Sequence, residues 1–284
     1  MVRCSFNQLS VTSEVKSKSA TVSLYTDPFN KRIRVDDYVG HVQEVLELIW
    51  KAIPDWAEKL IVKSRENEIP FFLANGFLQE AFVPGYFNGQ DMYFMVQYYT
   101  VSRSFNQKQA EEQDVVEKIL KEEKKITPVD CRDVSLATSN DAYALTRLYA
   151  TVFQVYPTPL SDPAYVRKTL EEGTIYVVIR DNDKIISAAS AEVNRQYFNA
   201  ELTDCATLPE AQGRGHIKKL LSTLEAGLGR DKIQCLYTIA RAESYSINKV
   251  FYQLNYAFGG TLVNNCFIYS GLEDMNVWHK TIQS

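Results

Sequence analysis

No run of about 18 consecutive apolar residues, the length a membrane-spanning helix needs, occurs anywhere in the chain. Met1 to Ser19 is polar and rich in Ser and Lys without an apolar core, so no secretory signal is expected. Cysteine is scarce and odd in number: Cys4, Cys131, Cys205, Cys235 and Cys266 are scattered, with no Cys-x-x-Cys pair. With the three histidines also far apart, neither a disulfide framework nor a metal site is expected. Positive charge is not in excess: 31 Lys and Arg stand against 35 Asp and Glu, a net charge of −4. That balance argues against nucleic acid and anionic membrane as partners. These absences together lead to the expectation of a reduced, cytoplasmic protein. What is present, 45% hydrophobic and 23% charged residues over 284 positions, suits one or two soluble globular domains, with two as the first expectation.

The segment Lys108 to Lys125 is dense in charge, with Val115, Val116, Ile119 and Leu120 forming a narrow apolar stripe. It reads as a solvated amphipathic connector helix ended by Thr127-Pro128, because proline disfavours helix at the residue before it. The expected division is therefore 1–107, a connector at 108–126, and 127–284. In the last part Ser139-Asn140-Asp141 starts a helix bearing Tyr143, Leu145, Leu148, Tyr149 and Val152 at helical spacing. Asp162-Pro163 opens a second helix and Gly173 stops it. Thr174 to Arg180 and Lys184 to Asn194 form a strand hairpin about Asp181-Asn182-Asp183, and Ala200 to Leu208 is the next strand. A helix over 215–228, a strand over 234–240, a helix over 247–254 and strands over 260–267 and 275–280 complete a mixed α/β order.

An internal repeat is present in weak form. Val39-Gly40-His41-Val42 matches Arg214-Gly215-His216-Ile217, Lys59 to Val62 falls near Gln234 to Tyr237, Phe71 to Phe77 matches Val250 to Tyr256, and Gly89 to Met92 matches Gly271 to Met275. The N-terminal half thus reads as a truncated copy of the C-terminal fold. Asp36 and Asp37 precede its helix, where carboxylates repel a phosphate, so this half is not expected to bind a nucleotide.

The most informative stretch is Thr207-Leu208-Pro209-Glu210-Ala211-Gln212-Gly213-Arg214-Gly215-His216-Ile217. A strand ends, glycines turn the chain, and a helix begins with free N–H groups and partial positive charge, which suits a diphosphate. On this loop and the order of elements around it, Thr127 to Lys280 resembles the GNAT superfamily of N-acetyltransferases. Ile217 departs from the glycine or alanine usual there. Within that superfamily the chain resembles the β-lysine N-acetyltransferases, in Ala200 to Glu210, Gly259 to Asn265, Met275 to Trp278 and Val83 to Phe87. The resemblance implies an acetyl-CoA N-acyltransferase fold in the C-terminal half and a degenerate, truncated copy before it. It also implies acetyl-CoA as cosubstrate, bound by Thr207, Leu208, Gln212, Gly213, Arg214, Gly215, His216 and Ile217, with Ser244 and Asn248 at the pantetheine arm. The implied acceptor is a small-molecule primary amine, first the N6 amine of β-lysine.

An amine with pKa near 10.4 is almost wholly protonated at neutral pH, so a proton acceptor is needed. Strand alternation puts Glu201, Thr203, Cys205 and Thr207 on one face, which makes Glu201 the first candidate base. Asp204 falls on the other face unless a bulge intervenes, and is a candidate for contacting the substrate amine. A backbone N–H near Leu208 is the expected oxyanion donor, by resemblance. The position of the family's acid tyrosine holds Phe251, so Tyr252 is the nearest candidate acid, one residue and roughly 100° of helix away. Two other readings stay open: a non-catalytic acyl-CoA sensor, and an acetyltransferase acting on protein lysine. Oligomeric state is left open, a homodimer being admissible.

Overall fold

The computed structural model describes residues 10–124, 128–153, 155–268 and 271–282. In chain order it contains β1 (Val11–Lys16), β2 (Thr21–Asp27), β3 (Arg32–Val39), α1 (Val42–Ala52), β4 (Lys59–Arg65), α2 (Ile69–Ala74), β5 (Leu78–Phe87), β6 (Gln90–Tyr98), the short α3 (Val101–Ser104) and α4 (Gln109–Leu120). Then follow β7 (Val134–Leu136), α5 (Ala142–Val152), α6 (Pro163–Glu171), β8 (Ile175–Asp181), β9 (Lys184–Asn194), β10 (Asn199–Thr207), α7 (His216–Arg230), β11 (Cys235–Arg241), α8 (Tyr245–Gln253), β12 (Ala257–Ile268) and β13 (Gly271–Thr281). Cys4 and the boundary proposed between 126 and 127 lie outside the described residues; the other four cysteines are free thiols. No helix among the described residues is long and apolar enough to cross a membrane.

The strands form one mixed sheet in the order β1-β2-β3-β4-β6-β5-β12-β13-β11-β10-β9-β8-β7. Read from its two ends, and setting β7 aside, that order is the same sequence of strands twice. In each half an antiparallel hairpin (β2–β3, β9–β10) is followed by a parallel neighbour reached through a helix (β4 through α1, β11 through α7). An antiparallel pair then closes each half (β5–β6, β12–β13). Registers correspond too. Arg34 pairs with Tyr25 and Ile61, while Glu201 pairs with Glu192 and Tyr237, so Arg34 and Tyr25 occupy in the first half the places of Glu201 and Glu192 in the second.

Both central strands are buried on two faces. Leu60 and Val62 pack in a core that includes Val45, Leu46 and Ile49 of α1, whereas Ile61 between them points the other way. Leu236 likewise joins the core with α7, and Cys235 and Tyr237 do not. The outward residues Ile61, Phe94, Val96, Tyr237, Leu262 and Val277 share a third core, so the inner faces of the two half-sheets pack on each other. Polar ties reinforce that seam: fully buried Lys59 donates to Glu80 (2.8 Å) and to the Val263 carbonyl (2.6 Å). Burial pulls the Lys59 ammonium down to about 8 against the pull of Glu80.

Two expectations need correction here. The connector is not a solvated rod, because α4 packs against α8 with Val116, Ile119 and even Glu112 buried, while Leu120 of the expected stripe is exposed. Tyr143, placed on the apolar face of α5, is 67% exposed.

Candidate active site

The parallel pairing of β10 with β11 runs only from Asn199–Cys235 to Glu201–Tyr237. Beyond Glu201 the two strands part and open a gap in the sheet. On its other edge β10 slips register against β9 between Thr203 and Ala206, where Asp204 has a φ of 52°. This is a bulge, which re-aims side chains at the cost of a strained residue. It buries the Asp204 carboxylate, which accepts hydrogen bonds from Ser190 Oγ (2.7 Å) and Tyr156 Oη (3.0 Å). Burial pushes the Asp204 carboxyl up to about 6; the two donors pull it back and Glu201 adds to the rise.

From Thr207 the chain passes through a tight turn at Pro209–Ala211 into α7. Gly213 and Gly215 have φ of 76° and 75°, and a Cβ built on either meets no atom within 4 Å. The glycines therefore border open space instead of packing against protein. Gly215 caps α7 without any side-chain bond, and the first turn holds no acidic residue, so the helix N–H groups are left to a ligand. Both ring nitrogens of His216 are buried and lack a partner. A left-handed glycine turn, an uncapped helix start and an unsatisfied imidazole fit a diphosphate with its ribose or pantetheine ends. The loop cradle is suited to coenzyme A.

One cavity of about 740 Å³ joins this loop to the strand gap. Gln212, Gly213, Gly215, His216, Ile217 and Lys218 line one end, and Thr207, Cys205, Asp204 and Glu201 continue along β10. Ser244 lines it from the start of α8. At the far end the wall belongs to the N-terminal half, through Tyr25, Arg34, Ile61 and Phe94. There the repeat brings unlike residues face to face, Tyr25 and Arg34 from one half, Glu192 and Glu201 from the other. The Arg34 guanidinium stacks 4.7 Å over Tyr25 and donates to both oxygens of Asp36 (2.6 and 3.1 Å). Burial works against its charge, but Asp36 and then Glu201 hold it firmly protonated. The acceptor end is thus bipolar, with carboxyl groups and a guanidinium across one chamber.

Sequence reasoning missed Tyr25, Arg34 and Glu192. The hairpin register was the available signal, because Asn199 opposite Asn194 sets Glu192 opposite Glu201. Four expected residues behave differently from expectation. The Leu208 N–H donates to the Ile186 carbonyl (2.9 Å) and its side chain lies in the core, so it is not free as an oxyanion donor. Arg214 is exposed, does not line the cavity, and donates to the Glu210 carbonyl (3.2 Å). Tyr252 does not line the cavity either. Its single hydroxyl proton is shared between the carbonyls of Glu122 (2.9 Å) and Leu120 (3.3 Å), which ties α8 to the end of α4 and the turn after it. Asn248 is fully buried with both ends of its amide engaged: it donates to the Arg241 and Ser244 carbonyls and accepts from Trp278 Nε1 (2.7 Å) and Asn276 Nδ2 (3.0 Å). It shapes the turn before α8 and does not line the cavity. Asn248→Ala strands two buried donors, and at about 1–3 kcal/mol each the expected loss is about 2–6 kcal/mol, read from urea unfolding.

The paired charges also change the account of the first half. Asp36 is held by Arg34 and Lys63 (2.8 Å), and Asp37 by Arg65 (2.9 Å) and Tyr197, so neither is a free charge aimed at a phosphate. What closes that half is space. Only Gly40 and His41 separate β3 from α1, against Leu208–Gly215 in the other half. A Cβ on Gly40 meets Ala20 Cβ at 2.7 Å and Ser19 O at 2.8 Å, and Glu44 in the first turn of α1 accepts from Ser17 and Ser19.

Comparison with known proteins agrees with this geometry. Residues 142–254 match the model of the Acetyltransferase (GNAT) family. The chain is 40% identical over 273 residues to the N-acetyltransferase YodP of Bacillus subtilis, covering 94% of this chain and 98% of that one. It is 31% identical to the Beta-lysine N(6)-acetyltransferase of Methanosarcina mazei, over 87% of this chain and all of that one. The protein of the same name from Methanococcus maripaludis is 34% identical over 78% of this chain and 82% of its own length. A phosphinothricin acetyltransferase of Sinorhizobium meliloti, solved with acetyl-CoA, aligns over 52% of this chain and 87% of its own at 21% identity and a TM-score of 0.46. The reading as a non-catalytic sensor gives way: the chain belongs to the GNAT family and is an acetyl-CoA-dependent acetyltransferase.

Proposed function

We propose that the acceptor is a small amino-acid-like molecule with a primary amine, and that the N6 amine of β-lysine is the group acetylated. The observation that carries this reading is that the cofactor loop and Glu201 line one cavity whose far wall is built by the N-terminal half. A chamber walled in this way favours a free small molecule over a lysine on a protein surface. Two of the relatives are named for β-lysine, which carries both amines and a carboxylate, and the bipolar chamber offers a partner to each.

In this reading Glu201 takes the proton of the attacking amine, which then adds to the thioester carbonyl. The oxyanion donor falls to the splayed part of β10 before Leu208. Coenzyme A leaves as thiolate without a tyrosine acid, which a thiol of pKa near 8.5 tolerates. The N-terminal half serves as acceptor wall, a copy of the fold that lacks the cofactor loop.

Thiol release from acetyl-CoA, followed with β-lysine, lysine, spermidine and an aminoglycoside, tests the reading. Fastest turnover on β-lysine supports it, and turnover only on protein lysine contradicts it. Arg34 gives a finer prediction. Losing a charge-assisted bond of about 1.5–3 kcal/mol, Arg34→Ala is expected to raise KM for β-lysine about 10- to 100-fold. KM for spermidine, which has no carboxylate, should barely move.

A further inference from the structure

Glu192 and Glu201 are direct partners across the antiparallel pair β9–β10, and both line the cavity. Side chains opposite each other on adjacent strands lie close, and like charges so placed repel. A sheet keeps such a pair only where something else accounts for it. Among the described residues no ion pair or hydrogen bond joins Glu192 to a cation, and Arg34, across the chamber, donates to Asp36 through its Nε and Nη2. We propose that Glu192 is a second acceptor-site residue, and that Glu192 and Glu201 together form a two-carboxyl cradle for the ammonium group of the acceptor. This rests on the reading of the cavity's far end as the acceptor chamber.

Every element packed around Glu192 contributes. Glu201 and Asp204 face it from β10, Arg34 from β3 and Lys63 from β4, with the phenols of Tyr165, Tyr176 and Tyr237 nearby. Glu192 is an exposed residue that lines the cavity, with its carboxyl set among the protein groups that surround it. Desolvation by those groups, then Glu201 and Asp204, pushes its carboxyl up to about 8, with Arg34 and Lys63 pulling the other way. Two carboxyls placed opposite each other do not ionise independently, so the empty cradle holds a proton more firmly than a lone carboxyl does. An incoming ammonium supplies the positive charge that the proton supplied before. An opposite charge at contact lowers a carboxyl pKa by about 1–3 units, so R–NH3+ enters, Glu192 ionises, and the proton leaves to solvent. The ammonium then sits between two carboxylates, and its own proton passes to Glu201 as nitrogen attacks the thioester.

The experiment is infrared difference spectroscopy on the full-length protein, wild type against Glu192→Gln, with Glu192→Asp as the conservative control. At pH 7 the wild type is expected to show a protonated-carboxyl band that disappears as pH rises through about 8, is missing in Glu192→Gln, and returns in Glu192→Asp. Adding β-lysine to the coenzyme A-loaded enzyme should remove most of that band, with on the order of one proton released per acceptor bound. A spectrum identical in wild type and Glu192→Gln, or a band unmoved by bound amine, overturns the cradle. If no amine in the panel is acetylated, the acceptor reading fails by itself, and that result is separate from the spectrum.

Discussion

Glu201→Gln is expected to lower acetyl transfer about 10²- to 10⁴-fold, the usual worth of a positioned proton acceptor, and to leave acetyl-CoA affinity nearly unchanged. Glu201 lines the cavity on β10 beyond the cofactor loop, so its removal touches the amine and not the diphosphate. The direction with pH follows from the substrate. An amine of pKa near 10.4 has only about one molecule in 10³ unprotonated near neutrality, a deficit of roughly 4 kcal/mol. The deficit grows as pH falls, and so should the loss. At high pH free amine becomes abundant and the variant should approach the wild type. Rates of thiol release from pH 6 to pH 10 check this, and a parallel pair of profiles would remove Glu201 from the role of base.

Gly215→Val is expected to weaken acetyl-CoA binding by at least about 10²-fold while the protein still folds. The two parts of that statement have different sources. A left-handed φ of 75° costs an L residue about 1–2 kcal/mol, which a folded domain tolerates. The protein itself leaves the space beside Gly215 open, so the new side chain fills room meant for the ligand. Gly40, its counterpart in the first half, offers the control. A Cβ there strikes Ala20 and Ser19, so Gly40→Ala should cost stability and leave cofactor affinity per folded molecule unchanged. Calorimetric titration with acetyl-CoA, beside urea unfolding, separates the two.

Much of the catalytic half was legible because its punctuation is local. Asp162 caps α6 through its own side chain, Pro163 opens that helix and Gly173 ends it in a left-handed turn, all within reach of a short window of sequence. The strand expected over Lys184 to Asn194 is β9 with the same bounds. The glycine loop, too, carries its chemistry in consecutive residues. What was not legible depends on partners far away in the chain. Whether Asp204 faces the cavity turned on a bulge that alternation alone does not predict. Tyr252 was the nearest candidate acid by spacing, and that its hydroxyl turns to the carbonyls of Leu120 and Glu122, away from the cavity, depends on a segment more than 100 residues earlier in the chain. Asp36 and Asp37 looked like repelling charges until Arg34, Lys63 and Arg65 neutralised them. Even the internal repeat, seen at Gly40 and Gly215, did not reveal that it sets Arg34 against Glu201, because that follows from registers in two hairpins at once.

The central claim is that the left-handed glycine turn and the uncapped start of α7 seat the diphosphate of coenzyme A and point its sulfur toward Glu201. A crystal structure of the chain with coenzyme A tests it most directly. The account predicts diphosphate oxygens within hydrogen-bonding distance of main-chain N–H groups between Gly213 and Lys218, and the thiol in the gap between β10 and β11. Coenzyme A bound elsewhere, or those amides turned inward onto protein carbonyls, would contradict it.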